Sequence, residues 1–454
     1  MNFYNYIEDK IKNKRVLVLG LGKEGRSTLK LLSKLSTYKK IGVADNSEIS
    51  FDNIENTLPL KKISKHLGCD YLNSIDEYDI VFKSPGVVLN KDTDISKISS
   101  QMQIFTEYYR ERIIGVTGTK GKSTTATLIY HTLKENNINA VLCGNIGIPV
   151  FDVIDDIKKD TQIVIEMSCH QLEYMSISPK NAVLLNLYEE HLDHYETYEK
   201  YCLAKYNIFK YMKETDNLIL TQQLMNKKNN FKLPENTIFS GFNNKECDIN
   251  VLQNGFYKNN ILFKIPENIS LLGVHNIYNI ACVYKIAEQF GIDYDDFIIS
   301  LKKFKSLPHR LEYIGNFYGI DFYNDSISTM GEATVNAIKS VKNTGCVLIG
   351  GMDRGIDYSS LIDFIIENNE YTYILMEDTG DRIYNEIREK LNNENLPSNI
   401  VLTEHMEDAI DLGFKLTEKN KACILSPAAA SYGIFKNFEH RGNVFCKLVE
   451  EYKK

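Results

Sequence analysis

Positive charge is in short supply in this chain: 53 lysines and arginines face 60 aspartates and glutamates, for a net charge of −7. A field of that sign does not draw in nucleic acid or an anionic membrane. The nine cysteines include no C-x-x-C pair, which speaks against a zinc site or a disulfide framework. They are expected to be free thiols in a reducing cytoplasm. No apolar run reaches the roughly 18 residues that a membrane-spanning helix needs. The opening segment, Met1 to Lys10, has no basic stretch ahead of an apolar core, so no signal peptide is expected. Low-complexity stretches and internal repeats are also missing. What remains is ordinary for a soluble globular protein, with 43% hydrophobic and 25% charged residues. The length suits roughly two to four domains.

The most informative stretch is Gly115-Val-Thr-Gly-Thr-Lys-Gly-Lys-Ser-Thr-Thr125. It reads as a strand end, a glycine-rich loop and the start of a helix. Glycines let backbone N–H groups approach an anion, and a helix N-terminus adds unpaired donors and a positive dipole end. Lys122 is placed to reach the β- and γ-phosphates of a nucleotide, and the Ser123 hydroxyl to meet Mg²⁺. The G-x-x-x-x-G-K-[ST] pattern is not met strictly, because its first glycine falls on Val116. A plain glycine-rich turn before an amphipathic helix is the blander reading.

Upstream, Val16-Leu-Val-Leu19 is an apolar run followed by Gly20-Leu-Gly-Lys-Glu-Gly25, and a helical pattern covers Ser27 to Leu35. A second run, Ile41 to Ala44, ends at Asp45. This is the G-x-G-x-x-G fingerprint with an acid about 20 residues on, and it points to a dinucleotide site, or to any nucleotide diphosphate bound to a Rossmann-like unit. Ile80-Val-Phe82 followed by Ser84-Pro-Gly86 reads as a strand running into a turn near the same crevice. Further strands are expected at Ala140–Leu142, Ile163–Ile165 and Ala182–Leu185. Residues 215–275 are rich in Asn and Lys, with short strand-like pieces such as Ile261–Phe263. A loop and helix follow over Ser270–Phe290, and Pro308-His-Arg310 marks a junction. Asp321–Tyr323, Cys346–Ile349, Tyr373–Leu375 and Cys423–Leu425 then alternate with helical segments. The whole reads as α/β in three domains: an N-terminal Rossmann-like unit over 1–111, a central P-loop ATPase-type domain over 112–306, and a C-terminal Rossmann-like domain over 307–454.

Several polar residues stand where such a fold carries chemistry. Glu166 closes an apolar strand beside the phosphate loop, where a carboxylate suits Mg²⁺. Cys169, in Ser168-Cys-His-Gln-Leu-Glu173, reads equally well as a packed thiol. Asn186-Leu-Tyr-Glu-Glu-His-Leu-Asp193 also follows a strand, and places His191 between Glu190 and Asp193. His194 reads as a surface residue. Lys205, on an expected helix, is by itself a solvated lysine. Asn276 and Asn279 could read a base or ribose, or Asn276 could cap a helix. Arg310 and Asp325 offer a cation and an acid on the last domain, where closure could complete a phosphoryl-transfer site.

Taken together and in order, these motifs resemble the Mur ligase family, most closely its glutamate-adding branch. The resemblance runs from Gly20–Gly25 through Ser84-Pro-Gly86, Thr117–Thr124, Gly144-Asn-Ile-Gly147, Glu190-His-Leu-Asp193, Ala204-Lys205, His275-Asn276, His309-Arg310, Asn324-Asp-Ser326 and Gly350-Gly351. It ends in Leu425-Ser-Pro-Ala428, Ser431-Tyr432 and Phe435-Lys-Asn-Phe-Glu-His-Arg-Gly442. It implies a cytoplasmic, monomeric ligase that uses ATP and two Mg²⁺ to join D-glutamate to UDP-N-acetylmuramoyl-L-alanine through an acyl phosphate in peptidoglycan synthesis. Lys122, His191 and Lys205 match catalytic positions. Gly118, Thr119, Lys120, Gly121, Lys122, Ser123, Thr124, Asn276, Asn279, Arg310 and Asp325 match ATP contacts. Gly22, Asp45, Ser84, Gly86, Asn145 and His191 match the UDP-substrate region. Thr329, Arg354, Ser431, Tyr432 and Phe438 match a glutamate pocket. Ser123, Glu166 and Lys205 are the implied metal ligands, Lys205 as its carbamate.

The chain departs from the family in places. The usual Asn-Asp-Ser-Lys-Ala-Thr-Asn reads Asn324-Asp-Ser-Ile-Ser-Thr-Met330, so Ile327 stands where a lysine normally meets glutamate. Arg354 is the candidate replacement cation. Tyr432 and His170 also replace more usual residues. The Asp-Ser-Ile-Ser-Thr form resembles a sub-branch that adds L-glutamate to the same acceptor. Other readings are a folylpolyglutamate synthase, a NAD-dependent dehydrogenase or a non-enzymatic nucleotide-binding regulator. The Phe435–Gly442 run, the phosphate loop and the retained Lys122, Glu166, His191 and Lys205 argue against these in turn.

Overall fold

After its first residue the strand Arg15–Leu19 is an unbroken apolar run, Val16–Leu19, because both its faces are covered, as parallel sheets require. It lies between two parallel neighbours, Lys40–Asp45 and Ile80–Lys83. The computed structural model describes residues 2–48, 63–394 and 396–453. Within them the first sheet runs in the order Ile63–Leu67, Lys40–Asp45, Arg15–Leu19, Ile80–Lys83, Ile98–Ser99. The order reverses at the first strand, and such a switch point opens a crevice at the strands' C-terminal ends. The helix Lys23–Leu32 starts directly behind the turn with Gly22 as its N-cap, four residues ahead of the expected Ser27. Gly25 has no room for a side chain: a Cβ there would stand 1.9 Å from the Gly20 carbonyl oxygen.

The second sheet is centred on Ile113–Thr117, between Gln162–Glu166 and Asn181–Leu184, all parallel. Ala140–Gly144 lies at one edge. The Asn- and Lys-rich stretch, with the strand-like pieces expected in it, extends the other side. Asn217–Thr221, Asn236–Phe242 and Ile249–Leu252 continue the parallel sheet, and Gly255–Lys258 and Ile261–Lys264 close it antiparallel. Leu218, Ile219, Leu220, Val251 and Phe256 are among its buried residues. One apolar core runs from Phe3 and Ile7 through Phe82, Phe105, Phe151 and Ile165 to Leu220, so the first two sheets share it.

The third sheet runs Glu312–Phe317, Ile320–Asn324, Ala422–Leu425, Thr344–Gly350, Thr372–Met376, Ile400–Thr403, with only the first pair antiparallel. Apolar clusters cover both its faces, one around Phe322, Phe414 and Phe445, the other around Tyr358, Ile362 and Ile383. By contacts the chain divides into two units. One holds residues up to Ile265 together with Ile277–Leu301; the other holds Pro266–Asn276 and residues from Lys302 onward. Among the described residues no helix is long and apolar enough to cross a membrane.

Candidate active site

The phosphate loop joins the central strand Ile113–Thr117 to the helix Lys122–Glu135. Gly121 caps that helix at φ 84°, and a Cβ there would meet Asn279 Oδ1 at 2.8 Å. A left-handed residue with a neighbour this close must be glycine. Asn186, just past the next strand, holds the loop from outside: its Oδ1 accepts from the N–H groups of Thr119 (3.1 Å) and Lys120 (2.8 Å). Its Nδ2 donates to the Lys120 carbonyl at 3.0 Å. The Thr119 hydroxyl lies 2.8 Å from Tyr201 OH. Sequence reading gave neither Asn186 nor Tyr201 a role; the only signal was an Asn at a strand's C-terminal end.

Two lysines turn toward this loop. Lys122 Nζ donates to the Thr119 carbonyl at 2.8 Å. Lys205, on the helix Tyr198–Tyr206 and only 1% exposed, donates to the Gly118 carbonyl at 2.8 Å and lies 4.8 Å over the Tyr201 ring. Burial pushes both ammonium groups down, Lys205 to about 8, and the Lys122 charge adds to the Lys205 shift. Lys120 instead pairs with Glu190 at 2.7 Å. Ser123 and Thr124 occupy the first turn of the helix.

Glu166 ends the strand beside the loop and is 1% exposed. Asn145 Nδ2 donates to its Oε1 at 2.7 Å, while the buried Oε2 has no protein donor. A buried carboxylate oxygen without a donor is costly unless a cation or water meets it. With the Ser123 hydroxyl and a carboxylated Lys205, the donors would be oxygens, the set a hard dication takes. Asn145, expected at the substrate, is therefore also the brace of Glu166.

His191 sits in the left-handed region at φ 58° and is exposed, with Nε2 3.9 Å from Glu190 Oε2. Burial against its neighbours lowers its pKa. His194 is not the surface residue its sequence suggested. Its side chain is 10% exposed and its Nε2 lies 3.1 Å from Glu173 Oε2, because the short helix Leu192–Tyr195 turns it inward.

In the first sheet the expected nucleotide-sugar residues gather at the switch point. Asp45 Oδ2 accepts from the Leu21 N–H at 2.6 Å, and Ser84 Oγ donates to the Gly20 carbonyl at 2.7 Å. Gly22 caps the helix beside them, and Gly86 lies in the turn closed by the Val87 N–H on the Ser84 carbonyl. Beyond the expected set, Glu24 accepts from Gln171 Nε2 at 2.5 Å. Burial lifts its carboxyl to about 7 and pushes nearby Lys83 down to about 8.

The remaining expected residues belong to the other unit. Asn276 donates to the Leu272 carbonyl at 2.7 Å. Asp325 is buried at the end of Ile320–Asn324. Its Oδ2 accepts from Ser328 (2.6 Å) and Ser426 (2.8 Å), and its Oδ1 from the Leu311 N–H (3.2 Å). Burial raises it to about 6, against the pull of these donors and of Arg310. Ser431 is buried and Phe438 half-buried, its ring 6.1 Å from that of His309. Thr329, Arg354 and Tyr432 are exposed. No sequence reading singled out Arg441, yet it is 1% exposed and ties this end of the sheet together. It donates to Ser326 Oγ (3.1 Å) and to the carbonyls of Ser326 (2.8 Å), Ala429 (2.9 Å) and Ala430 (3.2 Å).

Fold and loop together define a P-loop α/β protein. Residues 116–287 match the family model of the Mur ligase middle domain. The chain is 30% identical over 462 residues to a UDP-N-acetylmuramoylalanine--D-glutamate ligase of Clostridium botulinum (strain 657 / Type Ba4), covering 98% of each. It is 32% identical over the same length to a protein of that name from Ruminiclostridium cellulolyticum, again covering 98% of each. The chain belongs to the Mur ligase family. Its fold matches solved structures at low identity. One is a MurF ligase from Thermotoga maritima in complex with ADP (TM-score 0.61, 18% identity, 98% and 96% of the two chains). Another is the UDP-N-acetylmuramate-alanine ligase MurC of the same organism (TM-score 0.61, 16% identity, 97% and 100%).

Proposed function

We propose that this protein joins D-glutamate to UDP-N-acetylmuramoyl-L-alanine at the expense of ATP, as a cytoplasmic step of peptidoglycan precursor synthesis. The observation that carries this reading is full-length similarity to ligases of that name, together with a phosphate loop flanked by Lys122, Lys205 and Glu166. The alanine carboxylate attacks the γ-phosphorus, ADP leaves, and an acyl phosphate forms. The glutamate amine then attacks the acyl carbon, loses a proton, and inorganic phosphate departs as the amide forms. Loop N–H groups and Lys122 hold the phosphates, with Ser123 and Thr124 at the helix start. Asn279 packs against the loop at Gly121, and Asn276, Arg310 and Asp325 are the further ATP contacts that the family resemblance implies. Two Mg²⁺ would offset the negative charge that otherwise repels the attacking carboxylate. Ser123, Glu166 and a carbamate on Lys205 would hold them. The enclosed Lys205 amine, held at the Gly118 carbonyl, suits carbamate formation, which needs the neutral amine.

Gly22, Asp45, Ser84 and Gly86 would receive the uridine nucleotide, Asn145 and His191 the muramoyl-alanine end. Thr329, Arg354, Ser431, Tyr432 and Phe438 would receive glutamate. Ile327, in place of a lysine, favours a second reading in which L-glutamate is added. Phosphate release from the protein with ATP, Mg²⁺ and UDP-N-acetylmuramoyl-L-alanine separates the two. Release with D-glutamate is expected, release with L-glutamate alone selects the second reading, and release with neither overturns both.

A further inference from the structure

Cys169 and His170 open the short helix Cys169–Leu172, three residues after Glu166. His191 reaches the same place from the loop beyond Asn181–Leu184. Cys169 Sγ and one ring nitrogen of each histidine all lie within 4.8 Å of one another. The sulfur is 3.6 Å from His170 Nδ1, and the rings of His170 and His191 meet edge-on with centroids 4.9 Å apart. His194, locked by Glu173, stands edge-on to His170 at 4.5 Å and limits its swing from the other side. Among the described residues no other group of three His, Cys, Asp or Glu side chains gathers its ligand atoms this closely.

We propose that Cys169, His170 and His191 form a binding site for a thiophilic divalent cation of the zinc class. One thiolate and two imidazoles make a borderline-soft donor set, which Zn²⁺ takes with a fourth position left open. Mg²⁺ prefers oxygens and keeps its waters, so this set is chemically distinct from the oxygen donors around Glu166. Zinc–sulfur and zinc–nitrogen bonds of roughly 2.3 and 2.0 Å bring neighbouring ligands to within about 3.5 Å of each other. Rotation of the exposed His191 ring closes that gap and also gives the ion its way in. On binding, the Cys169 S–H bond breaks, its proton goes to solvent, and the sulfur lone pair forms the metal bond. The lack of a C-x-x-C pair is no bar, because the ligands come from two different strand ends. One consequence rests on the proposed reaction: a dication here takes His191 from the substrate and adds charge beside Lys205.

Cobalt(II) reports such a site directly. Titrating the metal-free, full-length protein with Co²⁺ is expected to raise a near-ultraviolet thiolate-to-cobalt band that saturates at one equivalent and is displaced by Zn²⁺. Cys169→Ser is expected to lose the band, and His170→Phe to weaken Co²⁺ binding by about tenfold or more. Absence of the band in the wild type, or an undiminished band in Cys169→Ser, overturns the proposal; so does unweakened binding in His170→Phe. Circular dichroism checks that each variant is folded, and Cys169→Ala replaces Cys169→Ser if it is not. In the phosphate-release assay, equimolar Zn²⁺ is expected to slow the wild type and spare Cys169→Ser. Should neither glutamate support release, the proposed reaction fails while the cobalt band still decides the site.

Discussion

Asn145 donates to one carboxylate oxygen of Glu166 at 2.7 Å and leaves the other buried with no protein donor. Such an arrangement fixes the carboxylate while reserving one oxygen for a cation. Glu166→Gln replaces a buried charge with a neutral group of equal size. Without nucleotide or metal, its thermal midpoint is expected to equal or exceed that of the wild type, since an unmet buried carboxylate is costly. Phosphate release is expected to fall by roughly a hundredfold or more. Unchanged turnover, compared at matched Mg²⁺, would remove Glu166 from the metal set.

Lys205 can be tested through the group it is expected to carry. Lys205→Ala should abolish turnover, and short carboxylic acids added to the assay should restore part of it by standing in for the carbamate. Full activity without added acid would exclude the role.

Gly121→Ala asks a non-glycine residue to hold φ 84° and puts a Cβ 2.8 Å from Asn279 Oδ1. The backbone strain alone is about 1–3 kcal/mol. The loop is expected to shift, weakening ATP binding measured by calorimetry by tenfold or so, with a lower thermal midpoint. Asn279→Ala in the same background should relieve the contact but not the dihedral, recovering only part of the loss.

Arg441→Met keeps the length of the side chain and removes its donors. The three carbonyls and one hydroxyl it serves belong to buried residues, so the expected cost is on the order of 3–5 kcal/mol, read by denaturant unfolding. A loss under about 1 kcal/mol would mean that water replaces the guanidinium.

Asp325 gives a pH test with a definite sign. Burial raises its carboxyl from 3.8 to about 6. Between those values the folded chain holds a proton that the unfolded chain has released, so this group's contribution to stability falls as pH rises toward 6 and above. Asp325→Asn removes the dependence. Relative to wild type, the variant's free energy of unfolding is expected to be larger, meaning a more stable fold, at pH 7.5 than at pH 5 by roughly 1–2 kcal/mol. A difference that does not change with pH would show that Asp325 titrates normally.

The glycine-rich turns were legible in the sequence because each packs several local requirements into a few residues. Gly20–Gly25 and Gly118–Ser123 both join an apolar strand to a helix, as read. Strand-end acids such as Glu166 and Asp45 were legible for the same reason. Less visible was whatever depends on distant chain. Asn186 supports the loop from 66 residues away, and Arg441 reaches Ser326 across 115. Neither sits in a local pattern that sets it apart from a surface polar residue. His194 misled because its burial comes from Glu173 on another segment. Between 217 and 264 the sequence shows strand-like pieces such as Ile261–Phe263 but not their order in the sheet, which depends on distant chain.

Phe151, from the central part of the chain, meets the rings of Phe3 and Phe82 edge-on, with centroids 5.7 and 6.5 Å away. These rings belong to a single apolar core that continues into the phosphate-loop sheet. A truncation that starts the protein at residue 112 would strip that wall from Phe151, Val153 and Ile154 and leave it facing water. Such a fragment would aggregate rather than bind nucleotide. The first sheet and the phosphate-loop sheet are thus expected to melt as one cooperative block, so that a lesion in the helix Phe3–Ile11 loosens the phosphate loop without touching it.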